Sequence, residues 1–166
     1  MNSNAAHGFV YEVAVRRPDG TLVQRERVKN LTPVEGLNHF SSVVFKSGLQ
    51  VATWYIGLFE GNYTPTDDVK AATIAALASE CTAYGSAQRV AFVPGAVANG
   101  SVDNSASKAE FAMTAAKTVY GGFIVSASPK GATTGVLVSA VRFTSPKVLA
   151  IGDVLVVVAA NSLVSA

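Results

Sequence analysis

The side chains with acid–base or nucleophilic chemistry are few in this sequence and stand far apart. The chain has two histidines, His7 and His39, and a single cysteine, Cys81. A catalytic histidine needs a nucleophile or a carboxylate within reach, and no spacing in the sequence identifies such a partner. Cys81 follows Glu80 among small residues, with no neighbouring cation to stabilise a thiolate, so we interpret it as a buried structural thiol. We predict no catalytic residues.

Metal and cofactor sites have no better support. One cysteine and two histidines cannot build a zinc site. Asp67 and Asp68, with Glu60 and Asn62 nearby, lack the spacing of a calcium-binding loop, and we interpret them as a solvated turn in which Asp67 could cap a following helix. The glycines match neither a dinucleotide-binding nor a phosphate-binding pattern. We therefore expect no metal and no cofactor.

One aromatic pair, Trp54 and Tyr55, could stack on a sugar ring. Neighbouring residues of a strand point to opposite faces, so at most one of the two could join a binding platform. We expect core packing for one or both side chains. A carbohydrate-binding β-sandwich stays open as an alternative function.

The composition excludes several classes of protein. Charged residues make up 14% of the 166 residues, where about 25% is typical, and hydrophobic residues make up 49%. This excludes a disordered chain. A net charge of +2 is too small to neutralise a row of phosphates, so we expect no nucleic-acid partner. The longest apolar run covers seven residues, so we expect no membrane span, and no basic or apolar segment at the start resembles a secretory signal. A charge-poor surface indicates coverage by partner subunits.

The elements that must position these side chains begin with a hairpin. Residues 9–15 alternate in polarity and place Phe9 and every second residue after it on one face, a Pro-Asp-Gly turn follows, and residues 21–28 return as a more polar strand. We expect residues 1–29 to form a hairpin arm and residues 30–166 a single β-rich domain. Four arginines of the arm are candidate partner contacts: Arg16, Arg17, Arg25 and Arg27.

A helix is predicted next, over about residues 32–47. Thr32 stands at the N-cap position, a proline follows it, and Glu35 stands three residues after the cap, which is the pattern of a capping box. Gly48 supplies a stop signal. Gly36 weakens the helix but allows close approach of another backbone segment.

The remainder of the chain predicts mainly β-structure. Short strands separated by regular turn signals favour an antiparallel β-sandwich or a jelly-roll-like barrel. A short helix over residues 69–79 is the one further helical segment. Residues 119–166 carry only four charged side chains, so we interpret this half as core or subunit interface.

Several segments together resemble small virion structural proteins of tailed bacteriophages. The resemblance extends over about residues 30–158, outside the hairpin. The segments that carry it are residues 30–40, 54–59, 104–111, 121–126, 141–147 and 152–155.

The resemblance implies a non-enzymatic component of the virion, made in the host cytoplasm. The placement that we favour is a head decoration or cement protein, a homo-oligomer and commonly a trimer, bound to the major capsid protein or other virion subunits. Copies would associate through apolar faces of residues 119–166, and the four arginines of the hairpin would meet acidic residues of the shell. A tail, collar or fibre-associated subunit is the structural alternative.

Overall fold

A computed structural model of the chain describes residues 6–164, which form ten strands and two α-helices. The strands are β1 (Ala6–Arg16), β2 (Leu22–Lys29), β3 (Trp54–Phe59), β4 (Glu80–Cys81), β5 (Val90–Phe92), β6 (Ser101–Asp103), β7 (Ala109–Ala112), β8 (Lys117–Val125), β9 (Leu137–Leu149) and β10 (Val154–Val164). The helices are α1 (Val34–Phe45) and α2 (Ala71–Leu77), and a 3₁₀ turn covers Ser105–Ser107. The mainly-β class and the N-terminal hairpin are confirmed.

The strands form two antiparallel five-stranded sheets. In sheet 1 the order is β2-β1-β10. The short strands β6 and β7 both pair with β10, β6 with its residues 160–162 and β7 with its residues 154–157. In sheet 2 the order is β4-β3-β8-β9, and β5 pairs with the first part of β3. Strands β2 and β9 approach each other along one side, so the two sheets curl into an antiparallel sandwich that is partly closed.

The main core lies between the two sheets. The alternation predicted for the first strand holds, because Phe9, Tyr11, Val13 and Val15 are all buried there. They face side chains of sheet 2 such as Ile56. Complete burial of a side chain of this size contributes about 1.5–3 kcal/mol, so β1 alone supplies a large share of the hydrophobic stabilisation.

The boundary predicted after residue 29 does not separate two packing units. Strand β1 lies in the middle of sheet 1 and pairs with β10 along its whole length, from Ala6–Val164 to Arg16–Val154. Strand β2 is tied to β9, where the Gln24 side-chain amide binds the backbone of Val148. Within residues 6–164 this hairpin supplies part of the main core and is therefore not separate from the β-rich domain.

Helix α1 begins two residues later than predicted and without the expected capping box. Pro33 is the N-cap residue, and neither Thr32 nor any other side chain caps the helix. Glu35 instead accepts hydrogen bonds from outside the helix, described below. The close approach expected at Gly36 is confirmed, since a Cβ atom there would lie 2.8 Å from the Cα of Val138 in β9.

A second, smaller core covers the outer face of sheet 2. Helix α2 packs there through Ile74, which meets Phe59, Phe123 and Leu137 of the sheet. Lys70 rather than Asp67 is its N-cap residue. Because sheet 2 is covered on both faces, the apolar residues of β8 and of the first part of β9 are used inside the subunit. The subunit interface expected across residues 119–166 therefore has little apolar surface left in those strands.

Candidate interaction surfaces

The four candidate arginines do not form one partner-facing cluster. Arg16 binds Glu110 of β7 through two hydrogen bonds of 2.6 and 2.7 Å at the surface. Arg17 pairs with the buried carboxylate of Asp153. That carboxylate also accepts the backbone N–H of Ala150. Arg17 is therefore part of the internal structure, where it fixes the β1–β2 turn to the β9–β10 turn.

Arg25 and Arg27 keep the exposure that a partner contact requires. The Nε atom of Arg27 lies 3.4 Å from the Oε1 atom of Glu12, and both side chains are mostly exposed. Ion pairs this exposed contribute little to stability. Arg25 forms no ion pair with any residue of the range 6–164. The ladder between β1 and β2 shifts register next to Ala14, so Gln24 and Arg25 both lie opposite this residue.

These two arginines line a groove of about 610 Å³ on the outer face of sheet 1, which we call the basic groove. Val156 and Val158 of β10 and Ala14 of β1 form its apolar floor. Its charged side chains are Glu12, Arg25, Glu26, Arg27 and Lys108. Lys108 also forms no ion pair within the described chain, and Glu26 is already neutralised by Lys147. The groove therefore has an excess of positive charge.

Two buried ion pairs were not visible in the sequence. Lys147 is 2% exposed, and its Nζ atom lies 2.5 Å from Glu26 Oε2 across the β2–β9 side of the sandwich. Glu26 also accepts the backbone N–H groups of Thr144 and Ser145. Burial raises the pKa of Glu26, but the hydrogen bond from Lys147 and those from the two backbone N–H groups outweigh it and hold the pKa below its ordinary value. The pair joins segments 121 positions apart in the chain.

The second buried pair, Arg89–Glu80, anchors the loops at the β4 edge of sheet 2. Arg89 donates two hydrogen bonds to the carboxylate, of 2.8 and 2.7 Å, and a third to the carbonyl of Ala127. Its guanidinium lies 5.1 Å from the centre of the Phe123 ring. Every charged atom of the pair has a partner, which is the condition for burying two charges without a large loss of stability.

The structure places the backbones of the two histidines and the cysteine in three different elements, β1, α1 and β4. The backbone of His7 belongs to β1 rather than to a tail, and its side chain lies outside the described residues. The ring centroids of His39 and Trp54 lie 5.5 Å apart in an edge-to-face arrangement. Cys81 is fully buried, and burial raises the pKa of its thiol. Among residues 6–164, no three histidine, cysteine, aspartate or glutamate side chains lie close enough to hold a metal ion.

The acidic loop residues have local partners. The carbonyl of Asp67 accepts the backbone N–H of Val34 at the start of α1. The carboxylate of Asp68 accepts the hydroxyl of Thr66 at 2.5 Å. These contacts fasten the loop before α2, and both residues are exposed, as predicted for a solvated turn.

An apolar surface lies at the end of the sandwich where β1 begins and β10 ends. A cavity of about 480 Å³ opens there between the β3 and β5 ends of the sheets. Four aromatic rings contribute to its wall: Phe9, Phe40, Trp54 and Phe92. Trp54 is half-buried and packs against the core, as expected for one member of the aromatic pair.

Large apolar side chains stand exposed on the segments that line or adjoin this cavity. They are Val44, Phe45, Leu49, Val93 and Val97. Phe45 is 82% exposed at the end of α1, and Leu49 is 92% exposed in the loop that leads to the cavity. We call the cavity and these five side chains the apolar pole. The sequence placed apolar residues here but could not show that they lie outside the core.

No family model, no curated protein and no solved structure matches this chain. Within residues 6–164, no helix has the length and apolar character needed to cross a bilayer.

Proposed function

We propose that this protein is a non-enzymatic structural component of a tailed-bacteriophage virion, and that it acts as an oligomeric decoration protein on the capsid. The resemblance of residues 30–158 to small virion proteins supports this proposal. The structural observation that carries it is the apolar pole. A chain whose own core is complete still exposes Phe45 and Leu49 almost fully.

The physical argument concerns what an apolar surface does in water. Contiguous exposed apolar patches are rare on monomeric proteins and mark surfaces that other molecules cover. The Phe9–Val15 face and the outer face of sheet 2 are already filled from within the subunit. The fold therefore does not use the apolar pole for its own core, and we propose that protein partners cover this surface in an assembly.

The basic groove is the surface that we assign to the capsid shell. Arg25 and Lys108 lack ion-pair partners within the described residues, and Arg27 has only an exposed one. An acidic segment of a shell protein would complement these three cations, and its apolar side chains would meet Val156 and Val158. Many copies on one shell would strengthen weak single contacts through avidity. This assignment keeps Arg25 and Arg27 as partner contacts and replaces Arg16 and Arg17 by Lys108.

The test uses virions of the virus whose genome encodes this sequence. We expect mass spectrometry to detect the protein in purified particles, and immunogold labelling to place it on the head. Particles that contain none of the protein would contradict a virion role. Label confined to the tail would contradict the decoration role and favour the tail-associated alternative.

A binding experiment then tests the groove. Capsids that lack the protein are mixed with purified wild-type protein and sedimented, and saturation at a fixed copy number is expected. The double variant R25Q/K108Q should bind at least about tenfold more weakly, because charge complementarity is lost. The matched control K29Q/K70Q removes the same charge from two exposed lysines that lie outside both the groove and the apolar pole, and it should bind as the wild type does. Equal binding by both double variants would contradict the assignment of the groove.

A further inference from the structure

We infer that the apolar pole is the contact between copies of this chain, and that Phe45 and Leu49 of one copy cover the aromatic cavity of another. The inference rests on the proposed function, since it names the surface through which the proposed oligomer forms. It also relocates that surface from residues 119–166 to the ends of α1, β3 and β5.

The pole carries both halves of such a contact. One half is the open cavity of about 480 Å³, whose walls include Phe40, Trp54 and Phe92. The other half is a pair of exposed side chains on the segments that supply this wall. Phe45 ends the helix that contributes Phe40, and Leu49 directly precedes Gln50, another residue of the wall. A cavity of this volume can accommodate apolar side chains of that size, and the same chain supplies them. A two-fold symmetric contact brings one patch onto the same patch of a second copy, so a cavity and a projection on that patch can fill each other.

The exposed area is sufficient for a specific contact. Exposed fractions of 49% to 92% on the five apolar side chains amount to several hundred Å². With the cavity wall added, this approaches the roughly 800 Å² per partner that a standard interface buries. Aromatic residues in pockets are also the side chains that most often dominate binding energy.

The charge of the pole favours a second copy over an acidic or basic partner. Within residues 44–54 and 93–97, Lys46 is the only charged residue. A strongly charged partner would therefore lose water from its charges without gaining ion pairs in return. A small apolar molecule could fill the cavity, but it would leave Phe45 and Leu49 exposed. A second copy covers both features at once.

The test combines light scattering after size-exclusion chromatography with tryptophan fluorescence. Trp54 is the only tryptophan of the chain and lines the cavity, so its emission reports on whether the pole is covered. We expect the wild type to elute as an oligomer that persists on dilution. Where it does dissociate, the emission of Trp54 should shift to longer wavelength because water reaches the cavity.

The variants Phe45→Lys and Leu49→Lys probe the projecting side chains. A lysine at residue 45 suits the C-terminal end of α1, because a positive charge is favourable there, so the helix should be preserved. Leu49 belongs to no helix or strand, so we expect its replacement to leave the secondary structure intact. If both variants weaken association, damage to α1 cannot be the common cause. The control is Ile151→Lys, an equally apolar and 69% exposed position in the β9–β10 turn at the opposite end.

We expect each pole variant to weaken self-association by roughly 30-fold or more, as loss of a dominant contact does. The control should associate as the wild type does. An unchanged oligomer in both pole variants would overturn the inference and leave the virion role intact. A wild type that stays monomeric at all concentrations would also overturn it, and capsid sedimentation would then judge the virion role separately. In such a monomer, a Trp54 shift on adding a fatty acid would identify the cavity as a small-molecule site.

Discussion

Glu35 of α1 accepts the backbone N–H of Ala71, the first residue of α2, at 2.9 Å. The same Oε2 atom accepts the N–H of Leu137 at the start of β9, at 2.7 Å. One carboxylate oxygen thus joins three elements that are distant in the chain. The first N–H groups of a helix have no partner within it, and a negative charge at that end is favourable. Glu35, which lies in the first turn of α1, therefore also caps the start of α2.

Replacement of Glu35 tests this junction. We expect Glu35→Ala to lower the free energy of unfolding by about 1–3 kcal/mol, since two partly buried N–H groups lose their acceptor. Glu35→Gln should cost less because its carbonyl oxygen can still accept both hydrogen bonds. The midpoints of urea unfolding measure the difference. If Glu35→Ala unfolded at the wild-type midpoint, the junction would have no energetic role.

Replacement of Gly36 separates helix propensity from packing. Alanine in place of an interior glycine favours a helix by up to about 1 kcal/mol. The added Cβ would approach the Cα of Val138 to 2.8 Å, however, and overpacking of this kind costs about 1–3 kcal/mol. We expect Gly36→Ala to be destabilising overall in thermal unfolding. Ser41→Ala, at an exposed position of the same helix, is the control and should be neutral or slightly stabilising.

The Glu26–Lys147 pair predicts a loss of stability in acid. A carboxyl whose pKa is lower in the folded chain than in the unfolded chain stabilises the fold above the unfolded value. For Glu26 this contribution should decline as the pH falls below about 4.5, its ordinary pKa, and vanish below the folded pKa. Glu26→Gln should therefore show a shallower decline in urea midpoint over that range. The exposed Glu12→Gln should follow the wild type, and a parallel decline for Glu26→Gln would refute the prediction.

Removal of Lys147 alone should be costly at neutral pH. Lys147→Met leaves the Glu26 carboxylate, which is only 10% exposed, without its counter-charge, and such a change costs about 3–5 kcal/mol. The double variant E26Q/K147M should recover much of this loss, because no unpaired charge remains and the glutamine can still accept the N–H of Thr144. Unfolding in urea gives both values. Additive losses in the double variant would mean that the two side chains do not act as a pair.

Cys81 should be inert in the folded protein. Burial raises the pKa of its thiol, so little thiolate forms near neutral pH, and no reagent can reach it without local unfolding. We expect an aromatic disulfide reagent at pH 8 to label the thiol in denaturant but not in native buffer. Rapid labelling of the native protein would show that β4 opens readily.

The strands and helices that are specified by residues close together in the sequence could be predicted from it. The alternation from Phe9 to Val15 predicted a strand with one buried face, because side chains of a strand alternate between the two sides of a sheet. The proline after Thr32 and the stop signal at Gly48 predicted a helix, which is found at Val34–Phe45. Glycine at residue 36 predicted a close contact, although only the structure identified Val138 as its partner.

The partners of the charged side chains could not be predicted. Glu26 and Lys147 are 121 positions apart, and Arg16 and Glu110 are 94 apart. Nothing local marks such pairs, because they depend on which strands become neighbours. For that reason the sequence could offer Arg16 and Arg17 as partner contacts, whereas the fold pairs Arg16 with Glu110 at the surface and Arg17 with the buried carboxylate of Asp153.

The sequence by itself determined the β-rich class, the hairpin and the helix, because hydrophobic periodicity and turn chemistry act over a few residues. Only the tertiary structure decided which apolar residues remain outside. The apolar residues of β8 and of the first part of β9 are covered by sheet 1 and by the two helices, whereas Phe45 and Leu49 stay exposed on segments that lead to an open cavity. Exposure depends on how sheets and helices pack against each other, and this packing is set by contacts between distant parts of the chain.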